Sequence, residues 1–253
     1  MNDTLYSIIG IIIPFLGTAF GSAFVLFLKK NINEKIQKLI VGFAAGVMIA
    51  ASIWSLILPS AELAGEQGIV NWIPPATGFI LGIVFLILTN YVAEKFAEKR
   101  NGKKLNMIMF SVTLHNIPEG MAVGVCFAGF LTANAGITLM SAMALSIGIA
   151  LQNIPEGAII SIPFKLQGMR KGKSLLYGIM SGIVEPISAV ITILLLNVVV
   201  PLLPYLLSFA AGAMIYVVIE ELVPEMNNSK KSVLGVIGVT IGFVLMMVMD
   251  MTL

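Results

Sequence analysis

The stretch from Phe43 to Pro59 reads FAAGVMIAASIWSLILP and contains no charged residue. A similar stretch, FAAGAMIYVVIEELVP, runs from Phe209 to Pro224 and is shorter by one residue. Together with its apolar neighbours, each stretch approaches the roughly 20 residues that a helix needs to cross a membrane. The chain therefore predicts two membrane helices of related sequence, far apart along the chain.

The whole chain has the composition of an integral membrane protein. Of its 253 residues, 58% are hydrophobic and 11% are charged, and the mean hydropathy is +1.00. Soluble domains carry about 25% charged residues. We expect an all-α protein with one transmembrane domain, residues 1–253. Apolar windows predict eight spans, near residues 5–28, 39–61, 72–93, 106–128, 137–161, 175–197, 202–223 and 233–253.

The basic residues predict how these spans are oriented. All 15 lysines and arginines lie in four alternate loops, after spans 1, 3, 5 and 7. Because Lys and Arg concentrate on the cytoplasmic side, we expect these loops in the cytoplasm and both termini outside the cell membrane. A cleaved leader followed by seven spans would reverse this bias. The net charge of +2 comes from the same loops and does not indicate nucleic acid as a partner.

Two pairs of related segments predict an inverted repeat. The FAAG segments fall in spans 2 and 7, and the motifs LHNIPEG and LQNIPEG fall in spans 4 and 5. Each pair joins spans an odd number apart, so its two members cross the bilayer in opposite directions. Spans 1 to 3 are therefore expected to match spans 6 to 8 around the central spans 4 and 5.

Acidic residues in the middle of the spans indicate a cation as a ligand. Glu119, Glu156 and Glu185 lie near mid-span, and no Lys or Arg lies within a span to pair with them. An ionised side chain at the bilayer centre costs about 2.5 to 3.5 kcal/mol, so it persists where water, a partner or a cation compensates it.

Helical spacing brings further metal ligands onto the same faces. On span 4, His115 and Asn116 precede Glu119 by four and three residues, so the three side chains project from one face. Gln152, Asn153 and Glu156 repeat this arrangement on span 5. Two such faces form a set of nitrogen and oxygen ligands that suits Zn, Fe or Mn. Three prolines, Pro118, Pro155 and Pro186, each remove a helical hydrogen bond beside the acids, where we expect bends.

At these motifs the chain resembles the ZIP family of divalent-metal transporters, in particular its bacterial GufA-like branch. The similarity is carried by HNIPEG in span 4, QNIPEG in span 5 and SGIVEP in span 6. It implies an eight-helix importer, often a homodimer in the bilayer, that moves Zn²⁺ and sometimes Fe²⁺, Mn²⁺ or Cd²⁺ into the cytoplasm. The divalent metal is then a bound substrate at a binuclear site at the midplane.

The resemblance also assigns residues. It implies that the metal ligands are His115, Asn116, Glu119, Gln152, Asn153, Glu156 and Glu185. It further implies an outer access route past Met48 and Glu62 in span 2, and an inner exit at Glu220 and Glu221 in span 7. Many zinc-transporting members have a second histidine and a further acid where this chain has Gln152 and Asn153, which leaves the metal preference open.

Two other classes of function are compatible with a buried carboxylate cluster. A cation channel would line its pore with the same carboxylates, and a saturable flux that depends steeply on temperature would favour a carrier. An intramembrane metalloenzyme would need a nucleophile or general base besides the ligands, such as the HExxH pattern. The sequence contains no such pattern, so we expect a transporter and not an enzyme.

Overall fold

The computed structural model describes residues 3–27, 34–99, 104–132, 137–166, 168–227 and 233–252. All regular secondary structure in these ranges is helical, which confirms the predicted fold class. The α-helices are α1 (Asp3–Phe27), α2 (Glu34–Ala51), α3 (Leu58–Glu66), α4 (Ile73–Lys99), α5 (Lys104–Thr132), α6 (Leu139–Leu166), α7 (Lys171–Gly182), α8 (Val184–Leu194), α9 (Leu196–Val217), α10 (Val223–Asn227) and α11 (Val233–Thr252). Two π-helices, Ser52–Ile57 and Val218–Leu222, join α2 to α3 and α9 to α10.

Seven helical segments within the described ranges are long and apolar enough to cross a membrane. They correspond to all the predicted spans except span 4. Span 4 is α5, whose 29 residues extend over about 43 Å, but polar residues at the centre of this helix lower its hydropathy. The eighth span and the position of the termini therefore stay predictions.

The helices pack in pairs whose order follows the predicted inverted repeat. α1 packs along α6 and α5 along α8, while α2 packs along α11 and α4 along α9. In the predicted repeat, span 1 corresponds to span 6, span 2 to span 7, span 3 to span 8 and span 4 to span 5. The α1–α6 pair therefore corresponds to the α8–α5 pair, and the α2–α11 pair corresponds to the α9–α4 pair. The central helices thus pack mainly against α1 and α8, which brings α1 next to the predicted metal site.

Glycines at matching positions allow this close packing. A Cβ added at Gly82 of α4 would meet the carbonyl oxygen of Phe209 in α9, and one added at Gly242 of α11 would meet that of Phe43 in α2. Phe43 and Phe209 begin the two FAAG segments, so both segments contact their partner helix in the same way. The repeated sequence is therefore also a repeated packing arrangement.

The two spans that carry the FAAG segments share an irregularity. Each continues from its α-helix into a π-helix at the same distance from FAAG, beginning at Ser52 in span 2 and at Val218 in span 7. Isolated π turns within α-helices are frequent at functional sites. Span 6 is broken instead, between Gly182 and Val184, directly before Glu185. By contrast, α5 and α6 continue as helices through Pro118 and Pro155.

Candidate metal-binding site between the central helices

The polar residues of the NIPEG motifs lie inside the protein. Asn116, Gln152 and Asn153 are fully buried, and Glu119 and Glu156 are 1% and 9% exposed. Spacings of three and four residues place each set on one face of its helix, and packing turns these faces inward. The structure therefore brings the predicted candidates on α5 and α6 together in one buried region.

A direct hydrogen bond links the two motifs. Gln152 Nε2 on α6 donates to Glu119 Oε1 on α5 over 2.7 Å. The second carboxylate oxygen of Glu119, Oε2, is buried and has no hydrogen-bond partner. Gln152 thus occupies one side of the Glu119 carboxylate and leaves the other side open.

Glu185 is held by donors from three helices. Its Oε1 accepts hydrogen bonds from Thr18 Oγ1 of α1 at 2.9 Å and from Asn116 Nδ2 of α5 at 3.1 Å. Its Oε2 accepts one from Asn153 Nδ2 of α6 at 2.8 Å. Glu185 is only 1% exposed, so these protein groups take the place of water around its carboxylate.

The two asparagines also donate to main-chain carbonyl groups at matching positions. Asn116 Nδ2 lies 3.1 Å from the carbonyl oxygen of Ser181 in α7, and Asn153 Nδ2 lies 3.4 Å from that of Pro14 in α1. Ser181 lies close to the break in span 6, where the last carbonyl groups of α7 lack donors from within the helix. Each amide nitrogen is therefore fixed by a carbonyl group and by the Glu185 carboxylate.

The oxygens of these side chains are left open. Among the described residues, five side-chain oxygens of the NIPEG motifs are buried without a hydrogen-bond partner. They are Asn116 Oδ1, Glu119 Oε2, Gln152 Oε1, Asn153 Oδ1 and Glu156 Oε1. Buried polar atoms are almost always satisfied in folded proteins. A set of open oxygens on two facing helices therefore has the chemistry of a cation site.

The charges of the site point to the same kind of ligand. Glu119, Glu156 and Glu185 lie close enough for their charges to interact. Like charges in a low-dielectric interior are unfavourable unless a cation or a proton neutralises them. Among the described side chains, no three His, Cys, Asp and Glu residues are grouped for metal binding. The side chain of His115 lies outside the described residues.

The predicted pathway residues occupy different environments. Met48 is fully buried in α2, whereas Glu62 is exposed on α3. Glu220 is exposed and Glu221 half-buried in the second π-helix. The charge of Glu221 interacts with that of Glu156. Glu221 thus lies close enough to the site for its charge to interact with that of Glu156.

Three residues near these positions were missed by sequence reasoning. Thr18 contacts Glu185, and Ser55 Oγ in the first π-helix donates to Asp250 Oδ1 of α11 over 2.6 Å. The Asp250 Oδ2 atom is buried without a partner. An acid near the end of an apolar span was a usable signal for Asp250, whereas a threonine or serine in a membrane helix gives none.

Comparison with known proteins shows the family to which the chain is similar. The sequence model of the family described as "ZIP Zinc transporter" matches residues 103–250. The chain is 33% identical to Zinc transporter ZIPB of Bordetella bronchiseptica, over 98% of this chain and 81% of that protein. It is 32% identical to Zinc transporter GufA of Myxococcus xanthus (94% and 95%) and 30% identical to Zinc transporter ZIP11 of Xenopus tropicalis (100% and 98%).

Proposed function

Because the chain belongs to the ZIP zinc transporter family, we propose that it carries a divalent transition-metal ion into the cytoplasm through the site between α5, α6 and α8. Its relatives are transporters and not enzymes. The expected substrate is Zn²⁺, with Fe²⁺, Mn²⁺ or Cd²⁺ as alternatives, because carboxylate and amide oxygens together with one imidazole accept all of these ions.

The open oxygens carry this proposal. Asn116, Glu119, Gln152, Asn153 and Glu156 each keep one buried oxygen without a partner, while the rest of each polar group is hydrogen-bonded or close to another acid. Such a set is costly to keep empty and becomes favourable when a cation supplies the missing partner. His115 follows from the family motif as a further ligand.

The proposed route runs from the outer end of span 2 to the inner end of span 7. Ions would pass Glu62, then the Ser55 and Asp250 pair, then Met48, and would leave by Glu221 and Glu220. The basic loops would lie in the cytoplasm and both termini outside the cell membrane. The resemblance also implies a homodimer. The span windows of α4 and α11 are only 22% buried within the chain, so these helices offer surface to lipid or to a second copy.

A carrier fits the site better than an open channel does. The described candidate ligands are all at least nine-tenths buried, whereas carboxylates that line a conducting pore would be hydrated. Paired helices related by an internal two-fold axis are the usual basis of alternating access around a midplane site. We therefore propose that the whole chain, residues 1–253, acts as one transporter domain by alternating access.

Uptake of labelled Zn²⁺, Cd²⁺, Fe²⁺ and Mn²⁺ into proteoliposomes tests the function. Wild type should show saturable uptake that depends steeply on temperature. Glu119→Ala and Glu156→Ala should abolish it, whereas Glu66→Ala, at an exposed position outside the site, should retain it. Uptake that survives both site variants would contradict the proposed site, and uptake that does not saturate would favour a channel.

A further inference from the structure

Glu185 differs from the other candidate ligands in having no open oxygen. Both of its carboxylate oxygens accept hydrogen bonds, from Thr18, Asn116 and Asn153. A carboxylate offers about four acceptor positions, and three are used by these donors. The one remaining position is on Oε2, beside the hydrogen bond from Asn153.

The hydrogen bonds of Asn116 and Asn153 fix the direction of their amide oxygens. Each Nδ2 faces a main-chain carbonyl oxygen, which can only accept, and an oxygen of the Glu185 carboxylate. A flipped amide would place its oxygen against these acceptors, which is unfavourable, so the network settles the orientation. The Oδ1 atoms then point away from Glu185, and both are buried without a partner.

Thr18 stands opposite Glu185 in the inverted repeat. A Cβ at Gly120 would meet the carbonyl oxygen of Glu185, and a Cβ at Gly157 would meet that of Thr18. The two glycines end the two NIPEG motifs, so Thr18 and Glu185 occupy equivalent places on α1 and α8. At this place α8 carries the acid Glu185, and α1 carries Thr18, whose hydroxyl group donates to Glu185 Oε1 over 2.9 Å.

We propose that Glu185 and Thr18 are positioning residues and not metal ligands: Thr18 holds the Glu185 carboxylate, which holds both asparagine amides so that their oxygens face the transported ion. The inference rests on the proposed function, because it assumes that an ion binds these oxygens. The ligand carboxylates are then Glu119 and Glu156 alone.

Infrared difference spectra of the purified protein with and without Cd²⁺ test the role of Glu185, because coordination shifts carboxylate stretching bands. With two ligand carboxylates, Glu119→Gln at saturating Cd²⁺ should lose half of the metal-induced band area. Glu156→Gln should do the same, and Glu185→Gln should lose none. A loss of one third in each of the three variants would make Glu185 a ligand and overturn the proposal.

Cd²⁺ affinity, measured by equilibrium dialysis, tests Thr18. Outer residues that orient metal ligands affect affinity by about 10- to 100-fold, so Thr18→Val should weaken binding by at least about tenfold. Thr18→Ser should restore it, because serine keeps the donor. The matched control is Thr192→Val, since the hydroxyl of this buried threonine donates within its own helix to Ser188.

The possible outcomes separate this inference from the proposed function. Thr18→Val that binds Cd²⁺ as tightly as wild type would overturn the role of Thr18. If Glu119→Gln and Glu156→Gln also bind Cd²⁺ like wild type, the proposed site itself fails. The band areas of the Glu119 and Glu156 variants decide the role of Glu185 even if Glu185→Gln does not fold.

Discussion

Gln152 Nε2 on α6 lies 2.7 Å from Glu119 Oε1 on α5. This hydrogen bond joins the two central helices through two residues that we propose as metal ligands. Since Gln152 uses its nitrogen here, the ligand that it presents is its open oxygen, Oε1. The residue at this position is therefore expected to influence which metal the site prefers.

Replacing Gln152 with histidine should shift the preference towards zinc. Imidazole nitrogen suits Zn²⁺, whereas carboxylate and carbonyl oxygens suit Mn²⁺. In Gln152→His, competition dialysis should therefore show a higher ratio of Zn²⁺ to Mn²⁺ affinity than in wild type. The matched control is Gln67→His at an exposed position, which should leave the ratio unchanged. An unchanged ratio in Gln152→His would contradict the placement of this side chain at the ion.

Replacing Asn153 with aspartate should destabilise the empty protein and tighten metal binding. Asn153 Nδ2 donates to Glu185 Oε2 at 2.8 Å, so an aspartate would place two carboxylates against each other. Losing this buried hydrogen bond costs about 1–3 kcal/mol. The added charge also raises the affinity for a second divalent ion.

Thermal unfolding with and without Zn²⁺ measures both effects. Asn153→Asp should unfold at a lower temperature than wild type without metal, and Zn²⁺ should raise its unfolding temperature by more, as ligand linkage requires. Asn71→Asp, at an exposed position, is the control for the change in charge. Equal unfolding temperatures of wild type and Asn153→Asp without metal would argue against the pairing of Asn153 with Glu185.

Adding a methyl group at Gly157 should separate α6 from α1. A Cβ at this position would meet the Thr18 carbonyl oxygen and the main-chain nitrogen of Ser22, and backbone atoms cannot move away easily. Overpacking of this kind costs about 1–3 kcal/mol. Gly157→Ala should therefore lower the unfolding temperature and the affinity for Cd²⁺. Gly172→Ala is the matched control, because no atom lies within 4 Å of a Cβ at Gly172.

Crosslinks should test whether α1, α6 and α7 move together against α11 and its partner α2. In a Cys126→Ala background, a bridge between Leu26→Cys and Lys171→Cys joins α1 to α7, where the Lys171 Nζ atom donates to the Leu26 carbonyl oxygen. We expect this bridge to spare Zn²⁺ uptake. A bridge between Gly148→Cys and Met246→Cys joins α6 to α11, since a Cβ at Gly148 would meet the Met246 side chain, and it should block uptake.

Reduction of each bridge provides the internal control, since uptake should return when the α6–α11 bridge is cleaved. The opposite pattern, with uptake blocked by the α1–α7 bridge and spared by the α6–α11 bridge, would contradict a movement of α1, α6 and α7 against α11 and its partner α2.

Much of the fold could be predicted from the sequence because a membrane imposes strong constraints. Apolar windows located the helices, since a segment that crosses lipid must satisfy its own backbone hydrogen bonds. The repeated FAAG and NIPEG segments indicated inverted pairing, and the helix pairs and the glycine contacts of Phe43 and Phe209 have that symmetry. Helical spacing also placed Asn116 and Glu119 on one face.

The sequence could not assign the partners of each polar atom, because these depend on helices that are distant along the chain. Glu119, Glu156 and Glu185 look alike as mid-span acids. Only the packing of α1 and α8 against the central helices gives Glu185 three donors and leaves an oxygen of Glu119 and of Glu156 open. Thr18 gave no signal, because a hydroxyl group in a membrane helix usually bonds within its own helix. The sequence therefore determined which residues enter the membrane, and the tertiary structure decided which of their oxygens remain free for a cation.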